Sequence, residues 1–422
     1  MTTPHTPEDR FGAAVASRLP RTTLLRESYR SLLATGRTYA AFTKQERAYV
    51  ERLVDRGVIL DPMSGYGGLM MESAKIGIDS YNLEMNPPQH LWQVLTNRRI
   101  AERMPGAIGK LMSIRKRNVA GKRTVCSDTF FPDECYDLLC DLLSAIEDVL
   151  SSEAGLKREA KKFAAALLLP FSGRLCCCTP GDNSAHVKEG GICVLKDWRT
   201  DFHAYLEVLL QFLHRVSTES QSSRHENYNG DARIFEFPKK RFRSMLTSPP
   251  YPNHRDFEAI FRPENELLRK LSQDGNTISF VDPSAVIGTN IVSRLSPSTP
   301  TVPSAIKFMD KISTLKRTKQ ATYDDAVYYF PYLREYFAAL ESAYSNVSKA
   351  AASDFLGYIV VVNNTHRGVV VPVAEAIVDI WKKLGFSSRI EHAEESFHLG
   401  TKNPRAKGIR ARHTEYVVEV RR

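Results

Sequence analysis

The stretch Val58-Ile59-Leu60-Asp61-Pro62-Met63-Ser64-Gly65-Tyr66-Gly67-Gly68 reads as a short strand and a glycine-rich turn, leading into a helix over about 69–75. Three branched aliphatic residues in a row suit a strand buried on both faces, and Asp61 marks its end. Gly65 and Gly67 stand where a side chain would keep backbone N–H groups away from a ligand at a helix N-terminus. A second strand is predicted over 80–83 and ends in Glu84. An acid about twenty residues after such a turn can accept hydrogen bonds from ribose hydroxyls. Strand, turn, helix, strand and acid in this order predict an α/β fold, a Rossmann-like sheet with helices on both faces. The plain alternative is a βαβ fragment that holds no ligand.

A third segment of interest begins at a strand predicted over 242–246, which runs into Thr247-Ser248-Pro249-Pro250-Tyr251-Pro252-Asn253. Consecutive prolines fix φ near −65° and remove two backbone donors, leaving carbonyl oxygens with no N–H beside them. Ser248 and these carbonyls can accept both hydrogens of an exocyclic amine, and the Tyr251 ring can stack on a flat base. An ordinary turn is the competing reading of the same residues. Between the two regions, Gly230-Asp231-Ala232-Arg233 marks the point where the sheet is expected to resume. Asp231 there suits either the amino group of an adenine ring or a turn.

Working outward, residues 1–20 read as a loose arm rich in Thr, Pro and Arg, followed by helices over 24–33 and 44–54. Asn86-Pro87-Pro88 predicts a break before a helix over 90–102. Helical patterns recur over 136–149, 153–169 and 202–216, around a Gly- and Cys-rich region at 171–198. A span of this length between two parts of one sheet predicts a subdomain with its own task. Cys176, Cys177, Cys178, Cys193 and His186 lack paired Cys-x-x-Cys spacing, so buried thiols are expected rather than a metal site. Beyond the Pro-Pro turn come a helix over 258–270 and a long loop over 272–303, a candidate for substrate contact. A helix over 323–345 follows, rich in aromatic residues that are expected to be core. A strand over 358–362, a helix over 372–384 closed by Gly385, and strands over 388–392 and 415–420 complete the sheet with a hairpin-like edge.

The 422 residues are 42% hydrophobic and 25% charged, the composition of a soluble globular protein. No apolar run is long enough to span a bilayer and residues 1–10 have no signal-peptide core, so the expected compartment is the cytoplasm. Seven cysteines form no disulfide framework, and reduced thiols are expected. The net charge of +10 suits a polyanionic partner, although it is also compatible with solubility alone. Basic runs at 98–99, 115–117, 239–243 and 402–412 suit a groove that tracks phosphates.

The Asp-Pro-x-x-Gly-x-Gly turn, Glu84, Asp231 and Thr247-Ser248-Pro249-Pro250-Tyr251, in this order, resemble the S-adenosylmethionine-dependent amino-methyltransferases of DNA. The resemblance is closest to the N4-cytosine enzymes of restriction-modification systems and covers about residues 55–95 and 228–422. It implies a class I methyltransferase sheet divided into three parts. Residues 1–104 hold the arm and the first part of the cofactor domain; 105–229 form a mainly helical insertion with a possible role in DNA recognition; 230–422 carry the catalytic turn. It further implies that Asp61, Pro62, Gly65 and Gly67 line the methionine part of S-adenosyl-L-methionine, with Glu84 at its ribose and Asp231 at its adenine. Ser248, Pro249, Pro250 and Tyr251 would bind a base flipped out of double-stranded DNA, and a cognate restriction endonuclease is a possible partner. Three alternatives stay open: an N6-adenine DNA enzyme, an RNA amino-methyltransferase, and a nucleic-acid-binding protein without catalysis.

Overall fold

The computed structural model describes residues 44–113, 123–125, 130–173, 175–180, 185–187, 192–194, 198–252, 260–273, 286–288, 298–314, 329–366, 368–398 and 411–422. Its main sheet contains β1 (Ile59–Asp61), β2 (Ser80–Glu84), β3 (His225–Asn229), β4 (Phe242–Thr247), β5 (Ala351–Asn363), β6 (Ser387–His398) and β7 (Ala411–Arg421). From edge to edge the order is β3-β2-β1-β4-β5-β7-β6. Neighbouring strands from β3 to β5 pair in parallel, and β7 runs antiparallel to both β5 and β6. The chain builds outward from β1 to β3, then returns beside β1 with β4 and builds outward the other way. The direction reverses between β1 and β4, and open α/β sheets bind ligands at the carboxyl ends of the strands flanking such a reversal.

Alternation of side chains along the strands sorts the core into two layers. Leu60, Met245, Ile359, Val361 and Val418 face one side, against α10 (Pro303–Ser313), α11 (Phe330–Ser348) and α12 (Val373–Lys383). Ile59, Leu246, Tyr358, Val360 and Val417 face the other, with Leu53 beyond α1 (Lys44–Glu51) and Leu69 of α2 (Gly68–Lys75). The run 355–361 of β5 is buried throughout, as a central parallel strand requires. Gly385, at φ 85°, closes α12: its N–H donates to Lys382 O and that of Phe386 to Trp381 O, the two bonds of a glycine-terminated helix end.

The connection from β2 to β3 occupies residues 85–224. It contains α3 (Pro87–Leu95), α4 (Arg98–Ala101), α5 (Met104–Met112), α6 (Asp133–Ser151), α7 (Ala160–Ser172) and α8 (Trp198–Glu219). Two short antiparallel pairs, Arg123–Val125 with Ile192–Val194 and Cys178–Pro180 with Ala185–Val187, accompany the helices. The helices share a third core through Trp92, Ile108, Leu139, Leu167, Phe202 and Leu209. Leu267 and Leu271 of α9 (Arg262–Gln273), which follows the Pro-Pro turn, join that core.

Several expectations change. Pro87 and Pro88 open α3 instead of interrupting the chain, because proline suits the first turn, where a missing N–H costs nothing. The helix expected over 90–102 divides at residues 96–97, where the Asn97 side chain caps α4 by accepting from Arg99 N. The sheet resumes at β3, ahead of Gly230, so the span read as an insertion ends in a strand of the main sheet. Its polar sequence, His225 to Asn229, hid a strand that pairs along only one edge. Cys177 is disulfide-bonded, against the expectation of reduced thiols, whereas Cys135, Cys140 and Cys176 take part in no disulfide. Among the described residues no group of three potential metal ligands occurs. Strands β6 and β7 are longer than expected: β5 ends at Asn363 opposite Thr414, and the hairpin continues to His398 opposite Ala411. The arm at 1–20, the helix over 24–33, most of the 272–303 loop, Asn253, the basic run 115–117 and residues 402–410 of the basic tail lie outside the described residues. Among the described residues no helix is long and apolar enough to cross a membrane.

Candidate functional site at the sheet switch point

Asp61, Glu84 and Thr247 are the last residues of β1, β2 and β4, so chain topology alone brings them to one end of the sheet. The glycine turn bridges the first two strands. Ser64 N and Ser64 Oγ both donate to Leu83 O at 3.0 Å, and Gly67 N donates to Ser64 O at 2.8 Å. Gly65 N donates to Glu84 Oε2 at 2.7 Å, while Asn86 N donates to Glu84 Oε1 at 2.8 Å. Gln93 of α3 supports the turn from below, its Nε2 donating to Ser64 Oγ at 2.8 Å and to Gly65 O at 2.6 Å.

Gly67 has φ 79° and caps α2, and a Cβ there would lie 3.0 Å from Gln93 Cγ. The positive φ favours glycine, and the close approach lets the turn pack directly on Gln93 of α3. Pro62 is buried beneath it. Tyr66 turns away from the sheet and meets the Phe261 ring edge-on at 5.8 Å, joining the turn to the helical body.

Asp61 is 4% exposed. Its Oδ1 accepts from Thr247 Oγ1 at 2.8 Å and from Met63 N at 3.3 Å. Burial pushes this carboxyl up to about 7, and the two hydrogen bonds oppose the shift. Loss of water also drives Glu84 up to about 7; the Asn86 and Gly65 amides counteract that, and the charge of Asp61 adds to it. Two carboxyls poised near neutrality beside a cradle of N–H groups suit a ligand with hydroxyls and positive charge.

The Pro-Pro turn lies immediately beyond Thr247. Ser248 is exposed and its Oγ is 2.8 Å from the Tyr251 hydroxyl, so the two groups expected to meet a base are hydrogen-bonded to each other. Tyr336 of α11 donates its hydroxyl to Pro250 O at 2.8 Å. That carbonyl is therefore not the free acceptor that the double proline suggested. Pro249 is buried and Tyr251 half-buried.

Asp231 sits beyond β3, where Arg233 grips its carboxylate. Arg233 Nε lies 3.0 Å from both oxygens, Nη2 is 2.7 Å from Oδ2, and the Arg233 amide is 2.9 Å from Oδ1. These contacts engage the acceptor sites that a carboxylate offers in its plane. Glu335 lies 3.8 Å from Arg233 Nη1 on the far side. Asp231 is thus anchored by a half-buried ion pair as well as by its position in a turn.

The basic run at 239–243 occupies the other end of the molecule. It precedes or opens β4, a strand's length from Ser248, and its arginines are paired: Arg241 with Glu226, Arg243 with Asp354. Its expected place in a phosphate groove beside the site does not hold. Thr247, Ser64, Gln93 and Tyr336 are site residues that the motif reading left out. Thr247 and Ser64 stand inside the quoted motifs, whereas Gln93 and Tyr336 come from helices with no local signal. Comparison with protein-family models finds no match, and comparison with curated proteins finds none either, so the functional reading rests on these residues themselves.

Proposed function

We propose that this chain is an S-adenosylmethionine-dependent methyltransferase that modifies the exocyclic amine of a nucleobase, with the N4 amine of a flipped-out cytosine in DNA as the target. The observation that carries the reading is the Thr247–Asp61 hydrogen bond, which ties the glycine turn to the Ser-Pro-Pro-Tyr turn across the reversal between β1 and β4. A mostly parallel sheet closed by a hairpin edge, as the sequence leads one to expect, is compatible with it.

The residues fit the cofactor. The N-terminus of α2 suits the carboxylate of the cofactor's methionine part, and the carboxyls of Asp61 and Glu84 suit its positive charge and its ribose hydroxyls. When bound, S-adenosylmethionine supplies an electrophilic methyl group on a sulfonium. Ser248 Oγ and Pro249 O would accept the two amine hydrogens and draw the nitrogen lone pair out of conjugation with the ring. Tyr336 holds Pro250 O, so the turn presents its other carbonyl in a fixed place. Tyr251 would leave its bond to Ser248 and stack on the base. Catalysis would then rest on positioning: the amine nitrogen would gain the methyl group as the bond from that methyl to sulfur breaks, a neutral thioether would be left, and the amine proton would pass to solvent water as or after the N–C bond forms.

The helical body between β2 and β3 is the proposed recognition element, since Tyr66 and α9 connect it to the site. A partner endonuclease belongs to the same proposal through the restriction-modification resemblance. Transfer of a labelled methyl group from S-adenosylmethionine to duplex DNA, compared between the unsubstituted chain and Ser248→Ala, tests the activity. Label in DNA with the first and none with the second is expected; equal incorporation by both removes Ser248 from the site.

A further inference from the structure

Thr247 ends β4 with its side chain 3% exposed, directed across the sheet at β1 instead of toward the Pro-Pro turn that follows it. Its hydroxyl is the nearest side-chain donor to Asp61, at 2.8 Å, and shares Oδ1 with the Met63 amide. Glu84 on β2 and Tyr344 on α11 are the other titratable groups that feel Asp61: its charge raises both the Glu84 carboxyl and the buried Tyr344 phenol, which stays neutral. Without Thr247, the buried Asp61 would keep the Met63 amide as its donor.

We propose that Thr247 is a positioning residue for the cofactor: its hydroxyl holds Asp61 as an oriented carboxylate at the floor of the glycine turn and fixes the distance between the cofactor and the target turn. The inference rests on the cofactor reading above. Burial of Asp61 favours its neutral form and the Thr247 bond favours the charged one. Removing the hydroxyl therefore raises the titration midpoint of Asp61, and at neutral pH less of the protein carries the charge that meets a cation.

Carboxyl carbon NMR of the unliganded full chain reads the first step, with the Asp61 signal assigned by Asp61→Asn. Thr247→Val should move the Asp61 midpoint up by about one pH unit, as expected for a lost hydrogen bond to the charged form, and Thr247→Ser should return it. Calorimetric titration with S-adenosylmethionine from pH 6 to pH 9 reads the second. Thr247→Val should weaken binding about fivefold at pH 7, with the loss shrinking as pH rises and Asp61 ionises again. A purely structural role for Thr247 gives a loss that is the same at every pH and overturns the inference. An Asp61 midpoint that stays in place in Thr247→Val overturns it as well. No binding by the unsubstituted chain at any pH overturns the cofactor reading itself and takes this inference with it, an outcome separate from the other two.

Discussion

The two turns at the switch point are built from opposite materials. The glycine turn after β1 surrounds two carboxyls, Asp61 and Glu84, with backbone N–H groups, and both carboxyls are pushed up to about 7. The Pro-Pro turn after β4 offers hydroxyls and carbonyls: Ser248 against Tyr251, and Pro250 held by Tyr336. Charge on one side suits a cationic cofactor; neutral acceptors on the other suit an uncharged amine. Only the first turn should respond to pH near neutrality, and substitutions in the second should spare cofactor binding.

The largest effect is expected from breaking the neutral turn. Ser248→Ala or Tyr251→Ala should lower methyl transfer by about a hundredfold or more, the scale of losing one preorganised contact to a reacting group, while calorimetry finds cofactor affinity within about threefold. Gly67→Ala attacks the charged turn. Its positive φ and the 3.0 Å approach to Gln93 Cγ predict a loss of about 1–2 kcal/mol in chemical denaturation, together with weaker cofactor binding.

A pH test separates the turns more finely. Asp61 and Glu84 titrate higher in the folded chain than the ordinary 3.8 and 4.5, so the folded state holds more protons than the unfolded one. Their stabilisation is complete below about pH 4 and is lost as pH rises through about 7. His90 and His225, lowered by burial to about 3 and about 4, act in the opposite sense, favouring folding above the ordinary histidine value and opposing it as pH falls. Comparing variants removes the histidine contribution. Asp61→Asn should flatten the decline in melting temperature between about pH 5 and pH 8 relative to the unsubstituted chain; parallel curves would contradict the assignment. The smallest effect belongs to Tyr336→Phe, which leaves Pro250 O without its donor. A loss of about 1 kcal/mol in stability, a modest fall in turnover and unchanged cofactor affinity are expected.

The strands and turns that form the site were legible because each is local. An aliphatic triplet before Asp61, a positive-φ glycine at the head of a helix and two prolines after a strand carry their geometry in their own residues. Glu84 was legible through its spacing from the turn. What escaped depends on tertiary partners. Arg233 closes on Asp231 two residues away, yet a gripped carboxylate and an open one look the same in sequence. Tyr336 read as one more core aromatic in a helix full of them, and only the approach of α11 to the turn gives its hydroxyl a role. Clustered basic residues at 239–243 suggested a groove, whereas strand direction sends them to the far end of β4, where Glu226 pairs with Arg241 and Asp354 with Arg243. β3 was missed because its polar residues lie at the edge of the sheet, where the apolar pattern that marks an interior strand is absent.

Nucleoside mass spectrometry on DNA and RNA from cells expressing this chain, with Ser248→Ala as the control, tests the central claim most directly. The account predicts N4-methylcytosine in DNA from the unsubstituted chain and none from the variant. N6-methyladenine would retain the site and change the base, and a modified base confined to RNA would change the substrate. No new modified nucleoside in either nucleic acid would contradict the account.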